Sequence, residues 1–103
     1  MTAASERRRA RRARLALPCV LRPRASSPIW AETIDVSEGG MSVRAARPLR
    51  ADETVDFDLA GTPHEHVQGR ATVLRLHAPR VYGLRFERLP EPMRRRLTDL
   101  VGG

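Results

Sequence analysis

Six short runs of alternating apolar and polar residues, followed by one run at helical spacing, constrain this chain more than any other feature. Alternation of period two sends successive side chains to opposite faces of a strand, so one face is buried and the other wetted. The first run starts at Arg14 and sets Leu15, Leu17, Cys19 and Leu21 against Arg14, Ala16, Pro18 and Arg22. Pro18 within it predicts an edge strand. A loop follows between Pro23 and Pro28, and then a second strand over 30–36, with Trp30, Glu32, Ile34 and Val36 expected on one side. Residues 37–40 turn the chain into a short third strand at 41–44, and the pair reads as a hairpin. Residues 54–59 turn Val55, Phe57 and Leu59 inward until Gly61 and Pro63 break the pattern. The longest strand is expected over 67–76, where Gly69 or a phase slip near Val73 and Leu74 predicts a bulge. The last strand covers 81–86, with Tyr82, Leu84 and Phe86 on one face.

After Pro90 the spacing becomes helical. Met93, Leu97, Leu100 and Val101 fall at i, i+4, i+7 and i+8, which predicts an amphipathic helix of about ten residues with Pro92 in its first turn. The expected fold is dominated by β-structure: a six-stranded antiparallel barrel plugged by one C-terminal helix. At 103 residues there is room for one domain and a modest core.

Charge divides the chain in two. The formal charge is +7, and residues 1–24 carry all of it: eight arginines against Glu6. The other residues hold 11 basic and 11 acidic side chains. The expected organisation is therefore a flexible Arg-rich arm over 1–13 and a neutral barrel domain over 14–103. Such an arm calls for an anionic partner or solvent. All 19 basic residues are arginine; coding bias explains that as readily as function does. The single cysteine, Cys19, rules out an internal disulfide and fits a reducing compartment. The apolar run 15–21 is short, broken by Pro18 and followed by Arg22 and Arg24, which argues against an export signal. No stretch approaches the ~20 apolar residues of a membrane span. A cytoplasmic, soluble protein is expected.

Two segments carry unusual chemistry. In the arm, Arg8 and Arg12 are four apart, and Arg7 and Arg11 repeat the spacing. Their guanidinium forks suit phosphate oxygens or guanine O6 and N7. Asp35-Val36-Ser37-Glu38-Gly39-Gly40 supplies a carboxylate, a hydroxyl and two glycines at a turn. One reading is an Asx or Ser turn that holds its own backbone. The other makes Asp35 an acceptor for guanine N1–H and N2–H and Ser37 a donor to the ligand, with Gly39 and Gly40 admitting close approach. Spacing alone leaves both open.

The order of parts resembles the PilZ domain family. An R-x-x-x-R arm precedes a strand with Leu17-Pro18, then D-x-S-x-x-G, the late strand Tyr82-Gly83-Leu84-Arg85-Phe86 and the terminal helix. The resemblance runs from about Glu6 to Val101. It implies a six-stranded β-barrel and binding of the bacterial second messenger cyclic di-GMP. It places the arginine pair at Arg8 and Arg12 by their distance from Leu17-Pro18, with Arg7 assisting, although Arg7 with Arg11 satisfies the same spacing. Asp35, Ser37 and Gly40 match the second motif, with Gly39 beside them.

The expected function is a stand-alone cyclic di-GMP receptor that orders its arm on binding and signals to a downstream protein partner, with no cofactor. The alternatives are a nucleic-acid-binding module using the arm and a scaffold of the same fold that binds no nucleotide. His64 and His66 offer a two-ligand metal pair, for which exposed strand-end histidines are the simpler account. Arg94, Arg95 and Arg96 are expected on the wet face of the helix. No nucleophile, base and orienting group can be assembled, so an enzyme is not expected.

Overall fold

The computed structural model describes residues 12–62 and 65–102. Seven strands are formed: β1 (Arg12–Ala13), β2 (Pro18–Pro23), β3 (Ile29–Ser37), β4 (Gly40–Ala45), β5 (Thr54–Thr62), β6 (Glu65–Ala78) and β7 (Val81–Phe86). One helix, α1 (Glu91–Gly102), follows. Six of the strands close an antiparallel barrel in the order β3-β2-β5-β6-β7-β4, with β4 returning to β3. Closure pairs the edges that an open sheet would expose. The two-residue β1 pairs with the far end of β3, beyond β2.

The alternation explains the interior. Cys19, Leu21, Val55, Phe57, Leu59, Val67, Val73 and Leu84 are buried, and the Phe57 and Phe86 rings stack at 5.0 Å between centroids. The buried Tyr82 hydroxyl accepts a hydrogen bond from the Leu49 backbone N–H at 2.9 Å, which satisfies the one polar atom of that ring. Helix α1 buries Leu97 and Val101 against the core, with Met93 and Leu100 partly covered. Its first turn is held by the Pro90 carbonyl, which accepts from the N–H groups of Met93 and Arg94. Arg94, Arg95 and Arg96 are exposed. The first two pair with Glu91 at 3.6 Å, contacts of little stabilising value at the surface.

Three local expectations change, and the alternative left open on β6 is decided in favour of the slip near Val73 and Leu74. Pro18 does not mark an edge: β2 lies between β3 and β5, and proline is accommodated because it is the strand's first residue. Strand β5 continues through Gly61 to Thr62, absorbing the break as a register shift between Ala60 and Thr62. Gly69 pairs in register with Phe57, and the slip on β6 falls between Val73 and Leu76, leaving Leu74 exposed. Gly69 is small for another reason. A Cβ there would lie 2.4 Å from Leu89 Cδ2 and 3.3 Å from the Phe57 ring.

The last change bears on function. Trp30, Glu32, Ile34 and Val36 do not share a face, because the pairing of β3 with β4 shifts between Thr33 and Asp35 and makes Ile34 an extra residue. A bulge reverses the phase of the alternation. Before it Ile29 and Thr33 are buried and Trp30 and Glu32 exposed; after it Val36 is buried and Asp35 only half so.

Candidate functional site

The bulge places the half-buried Asp35 on the outer face at one end of the barrel, with the buried Ser37 in the turn that follows. Met41, Val43, Tyr82 and Leu84 point inward from the neighbouring strands, so their alternates share that outer face. Asp35 stands opposite Ser42 on β4, and Ser42 opposite Gly83 on β7. One step along, Gly40 stands opposite the exposed Arg85. The result is a shallow platform of a half-buried carboxylate, a hydroxyl and a side-chain-free strip, with a guanidinium at its border. Ser42 was not singled out from sequence, and Gly83 and Arg85 entered only as part of the late strand, not as site residues. Their signal was present in the period of β4 and β7, but only the register relates them to Asp35.

The turn between β3 and β4 is built by Ser37. Its hydroxyl is buried, donates to the Gly40 carbonyl at 3.2 Å, and accepts from the N–H groups of Gly39 and Gly40 at 3.3 and 3.2 Å. The Gly39 carbonyl in turn accepts from Phe86 N–H at 2.9 Å. Gly40 is required by close approach: a Cβ there would lie 2.2 Å from the Leu84 carbonyl oxygen. Gly39 is exposed, with open space around its Cα. The serine and the second glycine thus shape the loop, while Asp35 and Gly39 are accessible on it. Glu38, between them, accepts from the Thr98 hydroxyl of α1 at 3.3 Å, which ties the turn to the helix.

The arginine segment reaches this turn through β1. Arg12 pairs with Ser37 and Ala13 with Val36. Arg7 and Arg8, together with Arg9 and Arg11, lie outside the described residues, so of the arginine pair only the Arg12 backbone is placed against the turn. The link from β1 to β2 is pinned by buried Thr33. Its hydroxyl accepts from Leu17 N–H at 2.9 Å and donates to the Leu15 carbonyl, while its own N–H bonds the Leu17 carbonyl at 2.9 Å.

A model of the PilZ domain matches residues 6–103. The chain belongs to the PilZ domain family. This is a family of cyclic di-GMP receptors, whose domains bind and adapt rather than catalyse. Among solved structures, the PilZ chain is similar to the Bacillus subtilis inhibitor of motility MotI/DgrA, with a TM-score of 0.78 at 18% identity, covering 92% of this chain and 49% of that one. It therefore spans about half the length of that protein. It is also similar to the PilZ domain of CeSA from a cellulose-synthesizing bacterium, with a TM-score of 0.71 at 18% identity, covering 89% and 95% of the two chains. At this identity the likeness shows the fold. No curated protein matches the chain by sequence.

The other candidate chemistry resolves differently. His64 lies outside the described residues. The exposed His66 bonds Asp58 through Nδ1 at 2.7 Å, and Gln68 Nε2 donates to the same carboxylate at 3.1 Å. Burial acts to raise the Asp58 pKa, but those bonds, with the charges of His66 and Arg22, outweigh it and leave the group below its ordinary value. Among the described residues no group of three His, Cys, Asp or Glu side chains is placed to hold a metal ion. No helix there is long and apolar enough to cross a membrane.

Proposed function

We propose that this PilZ domain is a cyclic di-GMP receptor whose arginine segment closes over the Asp35–Gly40 turn and thereby changes the surface offered to a protein partner. The observation that carries the reading is the pairing of Arg12 with Ser37, which supports a single site made of both motifs. The ligand has two phosphates and two guanines. Arg8 and Arg12, assisted by Arg7, supply forked donors to phosphate oxygens and to guanine O6 and N7. Asp35 accepts guanine N1–H and N2–H. Ser37 acts through the turn, holding Gly39 and Gly40 so that the ligand can approach the backbone, and Arg85 adds a cation at the border of the platform. Ordering the arm costs conformational entropy, so micromolar affinity is expected rather than picomolar.

The test is a calorimetric titration with cyclic di-GMP, using GTP and a random oligonucleotide as controls. Saturable binding of the cyclic dinucleotide alone, lost in Asp35→Ala, is the expected result. Silence toward it combined with salt-sensitive oligonucleotide binding would transfer the function to the arginine arm as a nucleic-acid contact.

A further inference from the structure

At the opposite end of β3 from the turn, the only tryptophan of the chain is 67% exposed. Trp30 borders an open groove of about 530 Å³ whose apolar surface includes Ala46 and Pro79 and whose charged rim is Glu32, Arg44 and Arg80. At ~3.3 Å per residue along a strand, this groove lies on the order of 20 Å from Ser37. It is separate from the proposed nucleotide site.

Three observations bear on what it binds. First, the barrel is closed, so a partner cannot add a strand to β3 beside Trp30 and must engage side chains. Second, the charge is lopsided. Arg44 stands opposite Glu32 in the β3–β4 register, yet makes no ion pair or hydrogen bond among the described residues. Arg80 and Arg47 direct their guanidinium groups only at backbone carbonyls: Ala46 at 2.8 Å for Arg80, and Ser27 and Pro28 at 3.1 and 2.8 Å for Arg47. Of the residues that line the groove, two arginines, Arg44 and Arg80, therefore stand against one carboxylate. Third, Arg80 has φ of 61° in the Pro79–Arg80 hairpin loop, a position where glycine avoids strain. Arg80 lines the same groove as Trp30.

We propose that the Trp30 groove docks an acidic peptide segment of a protein partner. An apolar side chain of the segment packs on the indole, and flanking carboxylates take forked hydrogen bonds from Arg44 and Arg80. An exposed tryptophan between arginines has the composition of an interface hot spot. A nucleic acid fits less well, since Trp30 is an isolated stacking platform. The inference gives a surface to the partner of the proposed receptor, but peptide binding here does not depend on the nucleotide.

Because Trp30 is the sole tryptophan, its fluorescence reports the groove directly. The full chain, free of nucleotide, is titrated with an array of capped peptides in which paired glutamates flank varied leucine, proline and phenylalanine centres. Lysine-flanked and Gly-Ser-centred counterparts serve as controls. A saturable emission shift to shorter wavelength with glutamate-flanked apolar peptides is expected, at least tenfold weaker with the lysine set. Arg44→Glu should weaken it tenfold or more with an unchanged circular dichroism spectrum, and Trp30→Ala should abolish the binding heat in calorimetry. An equal response to the lysine set, no response across the array at millimolar peptide, or indifference to Arg44→Glu would overturn the proposal. A shift that grows with protein concentration alone, with a dimer mass by light scattering, would also overturn it by assigning the groove to a second copy. Loss of cyclic di-GMP binding in Asp35→Ala with peptide binding retained separates the two readings.

Discussion

Arg12 faces Ser37 across the β1–β3 ladder, so the arginine-rich segment comes within about 5 Å, backbone to backbone, of the Asp35–Gly40 turn. Arg12→Ala and Asp35→Ala are each expected to weaken cyclic di-GMP binding by roughly 10- to 100-fold, the range for removing a charge-assisted hydrogen bond of about 1.5–3 kcal/mol. Asp35 is only half-buried, so thermal unfolding of Asp35→Ala should move little. Arg85→Ala, at the border, should cost only a few-fold. Calorimetric titration of the three variants checks this ranking; normal binding by Arg12→Ala or Asp35→Ala would place the site elsewhere.

Thr33 determines whether β1 stays beside the turn. Its buried hydroxyl bonds both Leu17 N–H and the Leu15 carbonyl, on the link that joins β1 to β2. Thr33→Val keeps the shape and strands both backbone groups, a cost of about 1–3 kcal/mol. Hydrogen exchange should show faster opening of residues 12–17 and not of β5 or β6. Ligand affinity should fall even though residue 33 is buried away from the platform. Unchanged exchange at 12–17 would mean that β1 is held by its ladder alone.

Two glycines predict different outcomes for the same substitution. A methyl at Gly40 meets the Leu84 backbone carbonyl at 2.2 Å, whereas one at Gly69 meets the end of the Leu89 side chain at 2.4 Å. Backbone in a closed ladder cannot yield without breaking the β4–β7 pairing; a leucine tip can rotate. Gly40→Ala should therefore destabilise the fold by about 3 kcal/mol, the upper end for overpacking, and Gly69→Ala by about 1. Urea midpoints of the two variants make the comparison. The reverse order would show that Leu89 is the more rigid neighbour.

The periods of two and 3.6 were enough to read the barrel and its helix from the sequence, because every strand hides one face and the closing helix hides one stripe. What escaped was the effect of a single inserted residue. Ile34 is itself a β-former, with no glycine or proline beside it to advertise a bulge, so alternation carried through it placed Trp30 and Val36 on one side. The bulge is defined only against β4, where Thr33 pairs with Val43 and Asp35 with Ser42. The platform beside Asp35 was hidden for the same reason. Ser42, Gly83 and Arg85 are distant in sequence and adjacent only through register. Ser37 and Gly40 were legible as a turn, and hydrogen bonding within it explains why that serine and glycine stand there.

Cys19 gives the last prediction, and its pH dependence follows from burial. The side chain is 1% exposed; burial, then the negative charge of Asp58, push its thiol from 9.0 up to about 12. At pH 8 the native thiolate is then roughly one in ten thousand, so iodoacetamide should label the native chain only through unfolding and the urea-unfolded chain at the rate of a free thiol. The folded state holds the proton where the unfolded state releases it. The stabilisation is therefore complete below pH 9.0 and declines as pH rises toward about 12. Urea midpoints should fall across that interval, and Cys19→Ala should flatten this part of the profile while lowering stability at pH 7. Rapid labelling of the native chain at pH 8 would instead identify β2 as a strand that opens locally, and with it the anchor that keeps β1 against Ser37.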